Sequence, residues 1–363
     1  MRKIIVLMSA LLLLFAGCAK EEEAPPRQLF VSTYTIGKSE VTSPAWFDPA
    51  TGEVTYLCPD CPHSCMGNDG HCDEDVHGDK CPFAKFSARY TLLDDTLYYF
   101  TTNEDYGDLF AYSLTTGETT RLMDTSPNKL WRSSFLFQGE YLYHFDNASR
   151  NGSSYGELRR LHLPDGTWED IPGQSIPFHI ENEVGFYTIP DSNEHSVAGL
   201  YSQPLYTANA AIPAKTLLLH EIELYFTPLV TEDAIYWFGN DALPANDRLS
   251  TEGNAMPGDL FRFDRQTQEN RLLVQKFGHS YLVPCGGYIY GIRRDGTRSV
   301  LMQVHPTDGS QKVIYTAEED WHLVTATLDT VGDYVIVDAT DGKAQAKVVY
   351  DAVAKETRII PIG

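Results

Sequence analysis

An all-β fold built from repeats is predicted by three features of the 363-residue sequence. Short aromatic strands recur along the chain, further strand-like segments flank each of them, and turn residues stand at the breaks. The aromatic strands read LYYF at 97–100, LYHF at 142–145, FYTI at 186–189, IYWF at 235–238, IYGI at 289–292 and VIVD at 335–338. Four strands per unit at a period of about 45 residues are typical of a β-propeller.

The second residue of each aromatic strand defines the period. These residues are Tyr98, Tyr143, Tyr187, Tyr236, Tyr290 and Ile336. Their successive spacings are 45, 44, 49, 54 and 46 positions. We therefore expect them to occupy equivalent strands of successive blades.

The number of blades depends on the first unit, which reads QLFVSTYTI and then SPAWFDPATGEVTYLC. Middle and outer strands are evident in it, but an innermost strand is not. The sequence predicts seven four-stranded blades in a single domain over residues 28–363. Six blades plus an N-terminal hairpin is the alternative.

The N-terminus predicts export and lipidation. Arg2 and Lys3 precede a short apolar run, which is long enough for a signal peptide and too short for a permanent membrane span. Phe15-Ala16-Gly17-Cys18 resembles the lipobox of bacterial lipoproteins. We expect residues 1–17 to be a signal peptide, Cys18 to be lipidated, and 18–27 to be a disordered tether. The protein would then be extracytoplasmic and anchored to the bacterial cell membrane by lipid alone.

The charge of the chain excludes one class of partner. There are 28 basic and 50 acidic residues, which gives a formal charge of −22. Removal of residues 1–17 leaves 26 basic and 50 acidic residues, a charge of −24. Such a surface repels nucleic acid and anionic lipid headgroups, so no nucleic-acid partner is expected.

Five of the seven cysteines lie in CPDCPHSCMGNDGHCDEDVHGDKCPF at 58–83. This polar segment falls between the first and second units, so we interpret it as an insertion between blades. Cys58 and Cys61 have zinc-knuckle spacing, and His63 and Cys81 can complete a structural zinc site. Disulfides are an alternative in an oxidising compartment, and Cys65 and Cys72 are candidate further ligands or a disulfide pair. Redox or iron–sulfur chemistry is a third interpretation.

Together, these segments resemble the propeller lipoproteins of gut Firmicutes, which are related in fold to TolB-like and tricorn-type propellers. The likeness rests on DPATGEVTYLC ending at Cys58, on CPH with Cys61 and His63, on CPFA with Cys81, and on the LYYF-type strands. Cys65 and Cys72 are additional to that pattern. The resemblance favours Cys58, Cys61, His63 and Cys81 as the zinc quartet, in a stabilising loop on the rim and away from the channel. It implies no activity.

The function predicted first is recognition or scaffolding, with an unknown protein or glycan ligand. This rests on the propeller fold and on aromatic residues expected in exposed loops, Trp131, Tyr155 and Trp321. Gly152-Ser153-Ser154-Tyr155-Gly156 fits a nucleophile motif, but the strand-like segment after it excludes the required helix. One alternative is a glycan-active enzyme that uses channel carboxylates, for which Asp94, Asp95 and Asp338 are candidates. The other is a metal or redox protein centred on residues 58–81.

Overall fold

The computed structural model of the protein describes residues 27–36, 39–57, 82–83, 86–101, 108–123, 134–150, 153–171, 177–191, 194–205, 213–223, 227–239, 258–278 and 280–362. Most of these residues lie in β-strands and tight turns, and a 3-10 turn spans Thr325–Thr327. Within these ranges, no helix is long and apolar enough to cross a membrane.

The strands form seven antiparallel sheets, one for each predicted unit. Blade one contains β1 (Gln28–Ile36), β2 (Ser39–Phe47) and β3 (Val54–Tyr56). Blade two contains β4 (Phe86–Leu93), β5 (Thr96–Thr101), β6 (Leu109–Ser113) and β7 (Thr119–Met123). Blade three contains β8 (Ser134–Gln138), β9 (Tyr141–Arg150), β10 (Ser153–His162) and β11 (Thr167–Ile171). Blade four contains β12 (His179–Glu181), β13 (Val184–Asp191), β14 (Glu194–Pro204) and β15 (Thr216–Glu223).

The last three blades follow the same scheme. Blade five contains β16 (Leu229–Val230), β17 (Ala234–Gly239), β18 (Asp259–Asp264) and β19 (Asn270–Val274). Blade six contains β20 (Leu282–Cys285), β21 (Tyr288–Asp295), β22 (Arg298–Val304) and β23 (Gln311–Thr316). Blade seven contains β24 (His322–Leu323), β25 (Asp329–Val331), β26 (Tyr334–Thr340), β27 (Gln345–Asp351) and β28 (Glu356–Ile362).

Two blades depart from a simple four-stranded meander. In blade seven, the first strand is divided into β24 and β25, which both pair with β26. Blade one has three strands in the described part of the chain, in the order β1-β2-β3. This agrees with the sequence, in which the first unit had no evident innermost strand.

Seven hydrophobic clusters close the ring, because each lies between two neighbouring blades. Blade one packs on blade seven through Ala45 and Phe47, which contact Ile336 and Val349. Its other side packs on blade two, where Leu29 lies against a cluster that includes Tyr99. The first and last blades therefore meet by side-chain packing. The seven-bladed β-propeller is confirmed.

The second strand of each blade is the centre of this packing. Leu97 packs toward blade one, whereas its neighbour Tyr98 packs toward blade three. In blade five all six residues of β17 are buried. Successive side chains of a strand point to opposite faces, so a strand sandwiched between two blades must be apolar at every position. That is why these strands appear in the sequence as continuous aromatic runs.

The predicted equivalence of the aromatic strands is confirmed, since Tyr98, Tyr143, Tyr187, Tyr236 and Tyr290 all lie in second strands. In blade four, however, the predicted alignment was wrong by one residue. Phe186, and not Tyr187, packs toward the next blade, as Tyr236 does in blade five. Gly185 explains the shift, because a β-carbon there would lie 2.7 Å from the Tyr187 hydroxyl. Tyr187 occupies the space that an aliphatic side chain fills in other blades.

Candidate functional site

The predicted lipid and metal residues lie outside the described part of the chain. These are Cys18, Cys58, Cys61, His63, Cys65, Cys72 and Cys81. In the ranges that are described, no three His, Cys, Asp or Glu side chains are grouped to hold a metal ion. Cys285 lies buried on the first strand of blade six, and burial raises the pKa of its thiol.

The described residues on either side of the 58–81 segment pack in the same hydrophobic cluster. Leu57 follows the outer strand of blade one, and Phe83 precedes the first strand of blade two. Both pack in the cluster between these two blades. The Tyr99 hydroxyl also donates a hydrogen bond to the main-chain oxygen of Pro82. These contacts fix the described residues on either side of the segment, and residues 58–81 themselves lie outside the described part of the chain.

The predicted channel carboxylates have structural partners. Asp94 and Asp95 form the hairpin between β4 and β5, where Asp95 accepts a hydrogen bond from the Thr115 hydroxyl at 2.8 Å. Asp338 lies on β26 and bonds the ammonium group of Lys347 at 2.7 Å. Lys347 is 3% exposed. These contacts favour structural roles for Asp95 and Asp338, and Asp94 occupies a turn position with a φ of 51°.

Two of the three predicted loop aromatics are placed differently from the expectation. Tyr155 lies within β10, which also makes the surrounding Gly-x-Ser-x-Gly match part of a strand. Trp321 is partly buried against the cluster between blades six and seven. Trp131 lies outside the described residues. Loop aromatics therefore do not define the candidate site.

One face of the ring is well defined, and we call it the turn face. It carries the hairpins that join first and second strands and the turns that join third and fourth strands. Both connections fall on one side because consecutive strands run antiparallel. The main-chain N–H after the third strand donates to the last hairpin residue in five blades. The pairs are Leu114 to Asp95, Leu163 to Glu140, Leu205 to Glu183, Arg265 to Asp233 and Ala352 to Asp333.

The accepting residue is acidic in all five blades. Asp95, Glu140, Glu183, Asp233 and Asp333 thus place equivalent carboxylates around the turn face. In blade six the equivalent pair is Gly287 and Pro306, and proline has no N–H to donate. The turn face is therefore an arc of regularly placed negative charges with a gap at blade six.

Three of the turns that join third and fourth strands on this face share a second pattern of hydrogen bonds. Asp48, Asp264 and Asp351 stand at or next to the ends of third strands, and each carboxylate accepts main-chain N–H groups two and three positions later. The residue four positions later has a positive φ and donates to the same aspartate's main-chain oxygen. These Asx-type turns need no contact with other blades. The turn face is consequently rigid within each blade.

Arginines join neighbouring blades across the turn face. Arg160 of blade three donates to Glu169 of its own blade at 2.7 Å and to Glu183 of blade four at 2.9 Å. Burial alone would lower the pKa of Arg160, but its hydrogen bonds to Glu169, Tyr143 and Glu183 outweigh this and raise it. Arg358 of blade seven donates to the main-chain oxygens of Pro49 and Ala50 in blade one.

A polar cleft of about 300 Å³ opens beside Arg160 in blade three. It is lined by Tyr141, Arg160, His162, Asp165, Thr167 and Glu169. His162 Nδ1 lies 2.9 Å from Asp165, and its Nε2 lies 3.5 Å from Glu140. The bond to Asp165 raises the pKa of His162, against a smaller opposing effect of burial. Bonds from Thr167 and His162 hold the pKa of Asp165 at about 2.

Hydrogen bonds within the cleft hold its charged side chains in defined positions. The Thr167 hydroxyl donates to Asp165 at 2.6 Å, so it is directed at the carboxylate and not at the imidazole. When His162 is protonated, both ring nitrogens can donate to these acids. The cleft can therefore hold a polar ligand group, and its charge depends on the protonation of His162.

Sequence reasoning missed the arginines of this site. Arg160 pairs with Tyr143 across β9 and β10, and Arg262 pairs with Tyr236 across β17 and β18. In blade six the corresponding residue is Gln303, whose amide donates to the Tyr290 hydroxyl at 2.7 Å. A recurring signal was available, namely a long polar side chain at one position of the third strand in three units.

Neither a family model nor a curated protein matches the chain. Solved structures do match it. A puromycin hydrolase (S511A mutant complexed with PGG) has a TM-score of 0.59 at 13% identity, over 94% of this chain and 54% of that one. The β-propeller domain of the Trilobed protease from Pyrococcus furiosus has a TM-score of 0.55 at 9% identity, over 92% of this chain and 97% of that one.

An uncharacterized protein from Listeria monocytogenes matches with a TM-score of 0.54 at 10% identity, over 93% of this chain and 95% of that one. At these identities, the similarities support the propeller fold and carry no activity. This chain spans about half the length of the puromycin hydrolase. The β-propeller implied by the family resemblance is thus confirmed.

Proposed function

We propose that the protein is a lipid-anchored, extracytoplasmic recognition or scaffold propeller that binds a partner through its turn face. The observation that carries this proposal is the arc of equivalent carboxylates, which five blades hold at fixed positions by the same main-chain bond. A preorganised array of like charges selects a partner of opposite charge and steers its approach. The partner class is a protein or glycan with a cationic surface.

The location rests on the N-terminal sequence. A lipidated Cys18 and the charged tether up to residue 27 would hold the ring close to the cell membrane. The formal charge of −22 would keep the propeller off an anionic lipid surface. Such an arrangement leaves the ring accessible to extracytoplasmic partners.

A charge-neutralisation experiment tests the role of the turn face. Asp333 belongs to the arc, and Asp94 and Glu232 stand one position before its members Asp95 and Asp233. All three are exposed, and we replace Asp94, Glu232 and Asp333 together by Asn, Gln and Asn. The control replaces Asp295, Glu319 and Asp320, three exposed acids on connections of the opposite face. Capture of partners from the producing cells should fall at least about tenfold in the first variant and persist in the control. Equal capture by both variants would contradict the proposal.

A second candidate function is a glycan-active enzyme, and the blade-three cleft favours it. His162 lies between two carboxylates there, and Tyr141 lines the same cleft. An acid paired with a histidine is a general acid–base arrangement. Hydrolysis or elimination of glycans that is lost in His162→Gln and retained in His305→Gln would support this alternative. A metal or redox role would instead depend on residues 58–81.

A further inference from the structure

The inner edge of β1 is open in the described part of the chain. β2 ends at Phe47, next to the turn residue Asp48, whose main-chain oxygen accepts the same turn hydrogen bond as that of Ser113 at the end of the third strand β6. β1, which pairs with β2, is therefore the second strand of its blade. In blades two to seven, a first strand pairs with the second strand. Among the described strands, β1 pairs with β2 alone. The place of a first strand in blade one is therefore a gap between β25 and β4.

Side chains from both neighbouring blades reach β1 at this gap. Tyr90, on the first strand of blade two, donates its hydroxyl to the main-chain oxygen of Leu29 at 2.9 Å. Gln28 donates through Nε2 to Asp329 Oδ2, on the first strand of blade seven, at 2.8 Å. Burial raises the pKa of Tyr90 to about 12, and the charges of Asp329 and Asp338 add to the shift. Asp329 therefore supplies negative charge at the gap, whereas Asp338 is already paired with Lys347.

Gln28 is polar, whereas the equivalent second-strand residues of the other six blades are aliphatic or glycine. The equivalent residues of the other blades are Leu97, Leu142, Gly185, Ile235, Ile289 and Val335. Gln28 is only 7% exposed, and no described group donates to its Oε1. A buried acceptor without a donor lowers the stability of the fold by about 1–3 kcal/mol. A leucine at this position would carry no such penalty, because its side chain has no polar atom. A hydrogen-bond donor placed in the gap would satisfy the Gln28 Oε1 oxygen, whereas an aliphatic residue at this position would need no donor.

We propose that this edge binds an extended, cationic peptide segment of a partner protein, which adds to blade one as its first strand. The inference rests on the proposed recognition function and names a partner class for it. Main-chain groups of the segment would pair with the open edge of β1, and one N–H would donate to Gln28. A lysine or arginine of the segment would pair with Asp329, which is exposed.

The test uses the chain with residues 1–26 retained and a fluorescent, acetylated octapeptide of alternating lysine and valine. Fluorescence anisotropy should give a Kd in the range of about 1–100 µM. A peptide with glutamate for lysine, and one with alternate prolines, should each bind at least about tenfold more weakly. Asp329→Asn and Gln28→Leu should each weaken binding about tenfold, because each removes one polar contact. Asp320→Asn, an exposed acid on the opposite face in the connection that leads into the same sheet, is the matched control.

Several results would overturn the proposal. They are equal binding of the lysine and glutamate peptides, unchanged affinity in Gln28→Leu, and no binding up to about 1 mM. Binding that appears only after removal of residues 1–26 would assign the edge to the chain's own N-terminal segment. Gln28→Leu restores the residue type of other blades, so its thermal midpoint should not fall. If it does not fold, Asp329→Asn and the three peptides decide alone.

The two proposals fail separately. The edge variants Gln28→Leu and Asp329→Asn leave the turn-face acids Asp94, Glu232 and Asp333 in place. Partner capture that is lost in the turn-face variant but unchanged in both edge variants would refute the strand site and leave the recognition function standing. Loss in the edge variants alone would place recognition at β1.

Discussion

Arg265 of blade five donates to Glu181 of blade four, 84 positions earlier in the chain. The same guanidinium also donates to the main-chain oxygen of Thr231 at 2.6 Å. Both charged side chains are about one quarter exposed, at 26% and 27%. This contact therefore joins two blades at a partly buried site, where loss of one partner leaves the other charge poorly solvated.

We predict that Arg265→Ala lowers the free energy of unfolding by about 2 kcal/mol, between the values typical of exposed and buried pairs. Arg159→Ala is the control, because Arg159 bonds Asp170 within blade three and both groups are well exposed. It should cost at most about 1 kcal/mol. Urea denaturation measures the free energy of unfolding of both variants. Equal losses would show that the inter-blade contact stabilises the protein no more than the exposed pair does.

In the turns that join third and fourth strands, we predict that adding a glycine at one position stabilises the protein and that removing one at another destabilises it. Lys355 has a φ of 60°, so Lys355→Gly should relieve strain and stabilise the protein by about 0.5–1 kcal/mol. Gly309→Ala should instead cost about 3 kcal/mol, because its β-carbon would lie 2.1 Å from the main-chain oxygen of Leu273. Gly166→Ala meets no atom within 4 Å and should cost only the strain, about 1–2 kcal/mol. Thermal melts rank the three variants, and a Gly309→Ala melt no lower than that of Gly166→Ala would contradict the geometry.

His162 predicts a dependence of stability on pH. Its pKa is raised above the ordinary value of 6.5, chiefly by the bond to Asp165. A raised pKa in the folded state means that this contribution is complete below pH 6.5 and is lost as pH rises through the folded pKa. The thermal midpoint of the wild type should therefore fall, relative to His162→Gln, as pH rises above about 6.5.

NMR titration of the His162 ring gives the direct measurement. Burial lowers the pKa of His179, so His179 acts in the opposite direction, and only the difference between wild type and His162→Gln isolates His162. A His162 pKa at or below 6.5, or the same pH slope in both proteins, would refute the prediction.

The cysteine segment predicts one zinc ion per chain, held by Cys58, Cys61, His63 and Cys81. Because the segment is polar, ordering it without a cross-link would cost more entropy than its burial returns. Elemental analysis of protein purified without chelator should find the metal, and the three thiols should resist alkylation until a chelator is added. Absence of both metal and free thiols would show that disulfides hold the segment instead.

Lipidation at Cys18 predicts a change of location. Cys18→Ala should release the protein from the membrane fraction or block its processing, because the lipid is the only expected anchor. Fractionation followed by mass spectrometry of the N-terminus is the measurement. Unchanged membrane retention and processing in that variant would rule out the lipoprotein assignment.

The sequence by itself determined the strands and their period, and it favoured seven blades. These properties are local, because a strand buried on both faces must carry an unbroken apolar run such as that at 97–100. Turn chemistry is local too, as Asp264 and the positive φ of Gln268 show. The incomplete first unit was also evident, since the sequence showed middle and outer strands there but no clear innermost strand.

Only the tertiary structure decided how the blades meet. The shift at Tyr187 follows from the space beside Gly185, which no strand pattern reveals. The bonds from Arg265 to Glu181 and from Gln28 to Asp329 join residues 84 and 301 positions apart. Such pairs depend on the closure of the ring, which brings the first and last blades into contact through side-chain packing. Strand periodicity predicts each blade, whereas the contacts between blades depend on side-chain shape and charge at positions that the repeat leaves free to vary.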